Sequence, residues 1–371
     1  MLTELQLSNF KSWRELDMKL GRVTGLFGTN SSGKSSILQF LLMLKQTAES
    51  PDKGLVLDLG GQNQQVNLGS FKDLIFKHQD TLPLKWELIE NSCTISDSVI
   101  YENKQIRKIK KAGITPVVIV FGKTVYERMY YLAPLREYPK REYQWSGASP
   151  SHVGYRGENT INAILAATIR NETRIIPESN EKKPFQEVIA YWLKKLEMCH
   201  EFKLKEIAEG TGLFHAIVKK EPESTEVFLT DVGFGVSQVL PALVLLYYVP
   251  EGSIILMEQP EIHLHPSVQS GLADVILQVS KQRNIQVIVE SHSEHLLQRF
   301  QRRVAEESYP VEELKLYFCD SQQGESKLMD LEIDEFGDIK NYPDNFFGDE
   351  MAEMAATHKA ALKRKIQAQI K

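Results

Sequence analysis

The chain has 371 residues, 42% of them apolar and 25% charged, with a formal net charge of −5. At roughly 150 residues per domain it can bury one large core or two moderate ones, and so small a net charge gives no global electrostatic case for nucleic acid, membrane or an acidic substrate. Cys93, Cys199 and Cys319 are far apart and form no CxxC pair, which argues against a disulfide framework or a thiolate zinc site and fits a reducing, cytoplasmic setting.

The opening MLTELQLSNF alternates as a strand and lacks the basic and apolar regions of a signal peptide. No apolar run approaches the ~20 residues of a membrane span, so no membrane partner is expected. Strands are predicted near residues 2–7 and 23–27. A helix follows over about 35–46, with Ile37, Leu38, Leu41, Leu42 and Leu44 on its apolar side. From 84 to 132, short runs rich in Val, Ile and Tyr alternate with charged turns and read as antiparallel hairpins. Two helices, about 158–170 and 184–198, flank the polar loop PESNEKK, with Pro184 suited to a first helical position. After residue 227 the pattern is a helix near 236–248, a buried strand 254–257, a helix from Pro266 and a strand 285–289. Residues 308–371 read as two or three strands and a basic terminal helix. There is no internal repeat and no sustained heptad pattern.

Gly28-Thr29-Asn30-Ser31-Ser32-Gly33-Lys34-Ser35 matches GxxxxGK[ST] residue for residue, between a predicted strand and a predicted helix that continues with Ser36. In such a loop the glycines let backbone N–H groups wrap phosphates and the helix N-terminus adds partial positive charge. Lys34 reaches the β and γ phosphates and Ser35 ligates Mg²⁺.

The apolar strand Ser253-Ile254-Ile255-Leu256-Met257 ends in Glu258, where a carboxylate faces the phosphates. The run Glu258-Gln259-Pro260-Glu261-Ile262-His263-Leu264-His265-Pro266 resembles the Walker B and D-loop segment of ABC-type AAA-family ATPases related to RecF and to the OLD (overcoming lysogenisation defect) proteins, which usually read Asp-Glu-Pro-Glu. The resemblance puts Glu258 on Mg²⁺ and Gln259 where the carboxylate that polarises the attacking water usually stands. A glutamine orients water but takes no proton, so slow turnover is expected unless Glu261 or another group substitutes. His263 and His265, without further ligands at metal spacing, read as part of the dimer-facing loop and helix start.

Thr230-Asp231-Val232-Gly233-Phe234-Gly235-Val236-Ser237-Gln238 lies about twenty residues before Glu258 and takes the place of the signature segment. In ABC-type dimers that segment's helix N-terminus meets the γ-phosphate held by the partner subunit. Gly235, Ser237 and Gln238 are the chosen residues, and either Thr230 or Ser237 is the phosphate contact. Glu290-Ser291-His292-Ser293 resembles the switch segment, which implies that His292 contacts the γ-phosphate. Asn9-Phe10-Lys11-Ser12 resembles the opening of the same ATPases, with Lys11 either near the phosphates or solvated. Gln65 and the turn Asn67-Leu68-Gly69-Ser70 are candidates for the Q-loop.

Tyr131-Leu132-Ala133-Pro134-Leu135-Arg136, Val153-Gly154-Tyr155-Arg156-Gly157-Glu158, Phe336-Gly337-Asp338-Ile339 and Tyr342-Pro343-Asp344-Asn345-Phe346-Phe347 resemble a prokaryotic subset of these ATPases. Its members carry a small C-terminal domain of unknown function and are often placed in anti-phage defence. The implied fold is α/β: an ABC-type P-loop nucleotide-binding fold, a mixed sheet with helices and an antiparallel β subdomain, plus a β/α insertion and a small C-terminal α+β extension. The divisions expected are 1–80 and 226–307 for the two parts of the ATPase core, 81–225 for the insertion and 308–371 for the extension. ATP and Mg²⁺ are the implied cofactors. The implied partners are a second copy, in an ATP-sandwich homodimer or higher oligomer, and a separate effector, a nuclease or toxin. No acidic strand end followed by Asp-x-Asp, as a Toprim nuclease requires, follows His292. DNA is a further candidate partner, through Lys104, Arg107, Lys108, Lys110 and Lys111 or through Lys359, Lys363, Arg364, Lys365 and Lys371, though both runs also read as solvated surface. The rival reading is a RecF-like ATPase acting directly on DNA in repair or recombination.

Overall fold

The computed structural model describes residues 1–343 and 346, apart from 53, 62–63, 80, 92, 103–104 and 109–123. Strands β1 (Leu2–Phe10) and β2 (Trp13–Lys19) form a hairpin, and β3 (Val23–Gly28) leads through the Gly-rich loop into α1 (Lys34–Glu49). After the short α2 (Phe71–Leu74) come β4 (Leu84–Glu90), β5 (Cys93–Glu102) and β6 (Gln105–Lys108), which complete an antiparallel sheet in the order β2-β1-β4-β5-β6. Arg107 and Lys108 lie on β6, where Lys108 pairs with Asp97. Lys104, Lys110, Lys111 and the basic residues from Lys359 onward lie outside the described residues.

The strand β7 (Met129–Leu132) departs from the hairpin reading of that region. It pairs in parallel with the buried strand near residue 255, because its partner is chosen by burial on both faces and not by local alternation. Then come β8 (Tyr143–Gln144), α3 (Thr160–Ile169), the hairpin β9 (Thr173–Ile175) and β10 (Lys182–Pro184), and α4 (Phe185–Lys195). Pro184 sits one position before the helix, in an extended conformation that closes the hairpin. β11 (Glu201–Glu206), β12 (Leu213–Lys219) and β13 (Val227–Phe228) form a small antiparallel sheet with β8. The chain then returns to the core through α5 (Phe234–Tyr248), β14 (Ile254–Glu258), α6 (Pro266–Gln282), β15 (Gln286–Glu290), α7 (Glu294–Ala305), β16 (Leu314–Gln322) and β17 (Glu325–Asp330).

The core sheet runs β17-β16-β3-β15-β14-β7. All of its strands are parallel except the edge strand β17, so β16, from the C-terminal region, lies directly beside the P-loop strand. Alternate residues serve two cores. Leu26, Ile254, Leu256 and Ile288 face α1 and the antiparallel sheet, whereas Phe27, Ile255, Met257, Val287 and Val289 pack against α3 to α7. Each such fully buried side chain contributes on the order of 1.5–3 kcal/mol, which is why these strands read as unbroken apolar runs. The buried Gln286 ties the layers together: its carbonyl accepts from Leu2 N at 2.9 Å and its amide donates to the carbonyls of Leu2 and Gly21 at 2.7 and 2.8 Å. The C-terminal ends of β3, β14 and β15 therefore open on one edge, where a parallel sheet places its ligands.

Candidate functional site

The loop after β3 is shaped by close approach. Gly28, at φ 134°, passes so near β16 that a Cβ would lie 2.0 Å from the Cys319 carbonyl oxygen. Gly33, at φ 94°, would press a Cβ to 2.4 Å from Ser326 Oγ and 2.9 Å from the Trp13 indole nitrogen. Neither position tolerates a side chain. Trp13 holds the loop by donating to the Gly33 carbonyl at 3.0 Å, and Ser326 donates to Ser12 of the β1–β2 turn at 2.6 Å.

Lys34 is buried and folded back on its own loop, donating to the carbonyls of Gly28 and Thr29 at 3.1 and 2.6 Å and to Ser32 Oγ at 3.4 Å. Burial lowers its pKa, and Glu290 is the first of the groups that oppose this. An open cavity of about 280 Å³ lies over the loop, lined by residues 30–36 together with Ser12, Gln39, Gln259, Glu290 and His292. Asn30, Ser31, Ser32, Gly33, Lys34, Ser35 and Ser36 thus share one space with two residues from the strand ends and one from the segment after β15. Lys11 hydrogen-bonds Gln39 on α1, and burial lowers its pKa against the pull of Glu258.

Three buried carboxylates crowd this edge. Glu290, at the end of β15, accepts from Ser35 Oγ at 2.9 Å through Oε1, and its Oε2 has no partner. Glu258, at the end of β14, accepts from the Tyr131 hydroxyl at 2.8 Å, and burial first, then Glu290, pushes its pKa up to about 7. Glu261 accepts from Ser291 Oγ at 2.7 Å and from the His292 backbone N–H at 2.9 Å, so it braces the segment that presents His292. Burial raises the pKa values of Glu261 and Glu290 as well. Arg136 lies among them, only 4% exposed, with Nε and Nη1 unpartnered and its pKa brought down to about 10 by burial. Burial, followed by Lys34, lowers the pKa of His292, against the opposing pull of the Gly28 backbone. Gln259 stands in the left-handed region at φ 43°, its N–H donating to the Glu290 carbonyl at 2.8 Å.

The signature residues lie elsewhere. Gly233 precedes α5, and Gly235, Ser237 and Gln238 occupy its first turns, none of them lining the P-loop cavity. Ser237 Oγ donates to the Phe234 carbonyl at 2.7 Å, Gln238 is buried with an unpartnered amide nitrogen, and Thr230 donates to Asp231. The half-exposed Phe234 ring packs on His263 and Tyr138, with centroids 5.3 and 5.6 Å away. His265 caps α6, accepting from Ser267 N, with Pro266 opening the helix.

The AAA ATPase domain family matches residues 1–119 and 143–297, which spans most of the chain and every P-loop, strand-end and signature residue above. The chain belongs to the AAA ATPase domain family. Residues 310–356 of this AAA ATPase also match a family described as a protein of unknown function, DUF3696. A comparison with curated proteins returns no match. Among solved structures, the SMC head domain from Thermotoga maritima is 13% identical over 90% of this chain and 99% of its own, with a TM-score of 0.48. An SMC head bound to the C-terminal winged-helix domain of ScpA is 15% identical over 90% and 98%, with a TM-score of 0.47. The SMC head with an extended coiled coil, bound to a C-terminal domain of ScpA derived from Pyrococcus furiosus, is 11% identical over 89% and 96%, with a TM-score of 0.45. These likenesses are weak in identity and superposition, and the P-loop α/β fold rests on the sheet order and the phosphate loop.

Three site residues of this AAA ATPase carry no assignment from the sequence: Glu290, Tyr131 and Arg136. Tyr131 and Arg136 stand in a motif that was visible only as a resemblance. Glu290 had a usable signal, because QVIVE repeats the pattern of IILME, an apolar buried strand closed by a glutamate. Gln65 donates to the Tyr155 hydroxyl at 2.6 Å, and Tyr155 packs on Tyr131, which bonds Glu258, so this Q-loop candidate is linked to the carboxylate edge through two tyrosines. No described helix is long and apolar enough to cross a membrane.

Proposed function

We propose that this AAA ATPase is a slow ATP clamp: it binds ATP with Mg²⁺ on the loop of residues 28–35, closes on a second copy through the α5 signature segment, and so licenses a separate effector. The residues present fit both groups. The Lys34 ammonium, now satisfied only by its own loop, is placed to exchange those carbonyls for phosphate oxygens. The Ser35 hydroxyl, hydrogen-bonded to Glu290 whose other buried carboxylate oxygen is unpartnered, with Glu258 paired to Glu290 at the end of the next strand, suits a hard divalent cation. Mg²⁺ there would neutralise charge developing on the phosphates.

Gln259 carries the reading. It lines the phosphate cavity in the company of His292, on a backbone anchored to Glu290, yet its amide takes no proton. It can orient a water while general-base assistance, typically worth 10²–10⁴ in rate, is missing. Glu261, the nearby alternative, is engaged in bracing the His292 segment. The effector role, and its setting in prokaryotic anti-phage defence with a nuclease or toxin as effector, rests on the resemblance of the motifs to RecF- and OLD-like ATPases.

The test is steady-state phosphate release with ATP and Mg²⁺, native against Gln259→Glu. Slow native turnover and a gain of roughly 10²-fold or more in the variant support the clamp. Brisk native turnover without gain would mean that another residue is the base and the protein a motor. The direct DNA reading is decided by fluorescence anisotropy of labelled duplex at near-physiological salt, where an ATP-dependent rise would replace the effector model.

A further inference from the structure

Two serines from opposite ends of the chain meet beside the phosphate loop. Ser12, in the β1–β2 turn, is half-buried, and Ser326 of β17, 314 residues further on, is 1% exposed. They are bonded twice: the Ser326 backbone N–H donates to the Ser12 carbonyl at 2.8 Å, and Ser326 Oγ donates to Ser12 Oγ at 2.6 Å. Both hydroxyls close on the residue that precedes α1, since a Cβ on Gly33 would lie 2.4 Å from Ser326 Oγ and 3.0 Å from Ser12 Oγ. Ser12 lines the cavity over the loop, and Ser326 stands behind it.

The direction of the bond decides what Ser12 can do. A serine hydroxyl has one proton to donate and lone pairs to accept. Ser326 gives its proton to Ser12, so Ser12 accepts on that side and keeps its own proton free. Among the described residues no other hydrogen bond takes that proton up, and the space that Ser12 borders is the phosphate cavity. A hydroxyl that already accepts a bond is a better donor, because bonded groups in series polarise one another. The cavity also lies over the uncapped start of α1 and the Lys34 loop, a setting that favours an anion.

We propose that Ser12 is a binding residue for the phosphate chain of the nucleotide, donating its hydroxyl proton to a phosphate oxygen, and that Ser326 is a positioning residue that holds Ser12 in the donating orientation. This rests on the reading of residues 28–35 as the ATP site. It gives residues 310–356, matched by the family of unknown function, a part in that site through two hydroxyls in series.

The test is calorimetric titration of the full chain with ATP in EDTA, so that the metal takes no part. Ser12→Ala should weaken binding by roughly 10-fold, the low end for a hydrogen bond to a charged group, and Ser12→Thr, which keeps the hydroxyl, should stay within about threefold of native. Ser326→Ala should weaken it by roughly 2- to 10-fold in the native background but by less than about twofold in Ser12→Ala protein, because a residue that acts through Ser12 then has nothing to act on. The loss in Ser12→Ala should be the same for dideoxy-ATP, which lacks both sugar hydroxyls. Native affinity in Ser12→Ala, or equal losses in Ser12→Ala and Ser12→Thr, overturns the proposal. So does a loss seen with ATP and absent with dideoxy-ATP, which would put the acceptor on the sugar. A Ser326→Ala effect undiminished by Ser12→Ala would mean that Ser326 acts by packing on Gly33, and overturns the positioning role. Lys34→Ala separates the two readings: if it binds ATP as the native chain does, the ATP site of residues 28–35 falls and the proposal with it. Should Ser326→Ala fail to fold, Ser326→Cys, similar in size and a weak donor, takes its place in the cycle.

Discussion

The two glycine-led helix starts, at α1 and α5, are built in opposite ways. Before α1 the loop is bonded by Trp13 of β2 and closely flanked by Ser326 of β17, and it lies at an edge that carries three buried carboxylates, a buried lysine and an arginine with unpartnered donors. Before α5, residues 231–235 are exposed or half-exposed. Their contacts include the Arg141–Asp231 ion pair and the tilted and edge-on packing of Phe234 against Tyr138 and His263. Neither helix has a side-chain cap or an acidic residue in its first turn, whereas α7 has both the Ser293 cap and Glu294. Free N–H groups without a competing carboxylate suit an anion at both starts. Buried charge gathers at α1, whereas α5 has one buried amide without a partner, that of Gln238, and no buried charge in its first turns. Under the proposed clamp, the difference would be that between a site finished within one chain and a half-site that waits for phosphate brought by another.

The largest effect expected from breaking this contrast is at α1. Lys34→Ala removes a buried charged donor to phosphate, so ATP affinity should fall by roughly 10- to 150-fold, the equivalent of one charged hydrogen bond of about 1.5–3 kcal/mol. Calorimetric titration with MgATP reads it. Unchanged affinity would show that the nucleotide sits elsewhere.

Next comes α5. Ser237→Arg forces a bulky cation into a position only 7% exposed in the first turn of α5, where Ser237 bonds the Phe234 carbonyl. MgATP affinity of the isolated monomer should stay within about twofold, less than the loss of one neutral hydrogen bond, while self-association on ATP, measured by light scattering, should be lost. If dimers persist, the helix that meets the second nucleotide is another one. If the monomer loses ATP, the two starts are not separable and the contrast is wrong.

How much of this was legible in the sequence follows the same division. The P-loop was readable in full because its chemistry needs fixed spacing, Gly28 and Gly33 being excluded from carrying side chains by Cys319 and Ser326, some three hundred residues further on. The apolar strands and the amphipathic α1 were readable because burial on both faces or on one writes itself into the pattern. The place of β7 was not, since Met129–Leu132 is locally indistinguishable from the hairpin strands before it, and its parallel partner β14 is remote in sequence. Nor was the contact of β17 with the β1–β2 turn beside the loop, which pairs Ser12 with Ser326 across almost the whole chain. The carboxylate edge was half legible. Spacing after the strand pointed to Glu258, but which acid faces Ser35 depends on which strand lies beside β3, and only the sheet order says that it is β15.

The smallest effect concerns stored electrostatic strain, which the contrast places at α1 alone. Glu258 titrates near 4.5 in an unfolded chain and at about 7 when buried in the native one. A raised carboxyl pKa means that the folded state holds the proton over that interval. The stabilisation is therefore complete below 4.5 and is lost as pH rises through 7. Glu261 and Glu290 shift in the same direction. His292, with its pKa lowered, works against them only below about 6.5, where the unfolded chain takes up a proton that the native one refuses. Between pH 6.5 and 8 the buried N-terminal amine, its pKa lowered from 8.0 by burial, opposes the carboxylates, and the share that Glu258 itself contributes should fall by about 1 kcal/mol over that span. Denaturant titrations at the two pH values measure it. Glu258→Gln should remove that share of the slope, and Ser237→Arg, at α5 and away from the buried carboxylates, should leave the slope as it is. An equal slope in Glu258→Gln would mean that Glu258 is already ionised in the native protein, with Arg136 and Lys11 neutralising it, and that the strain is not stored there.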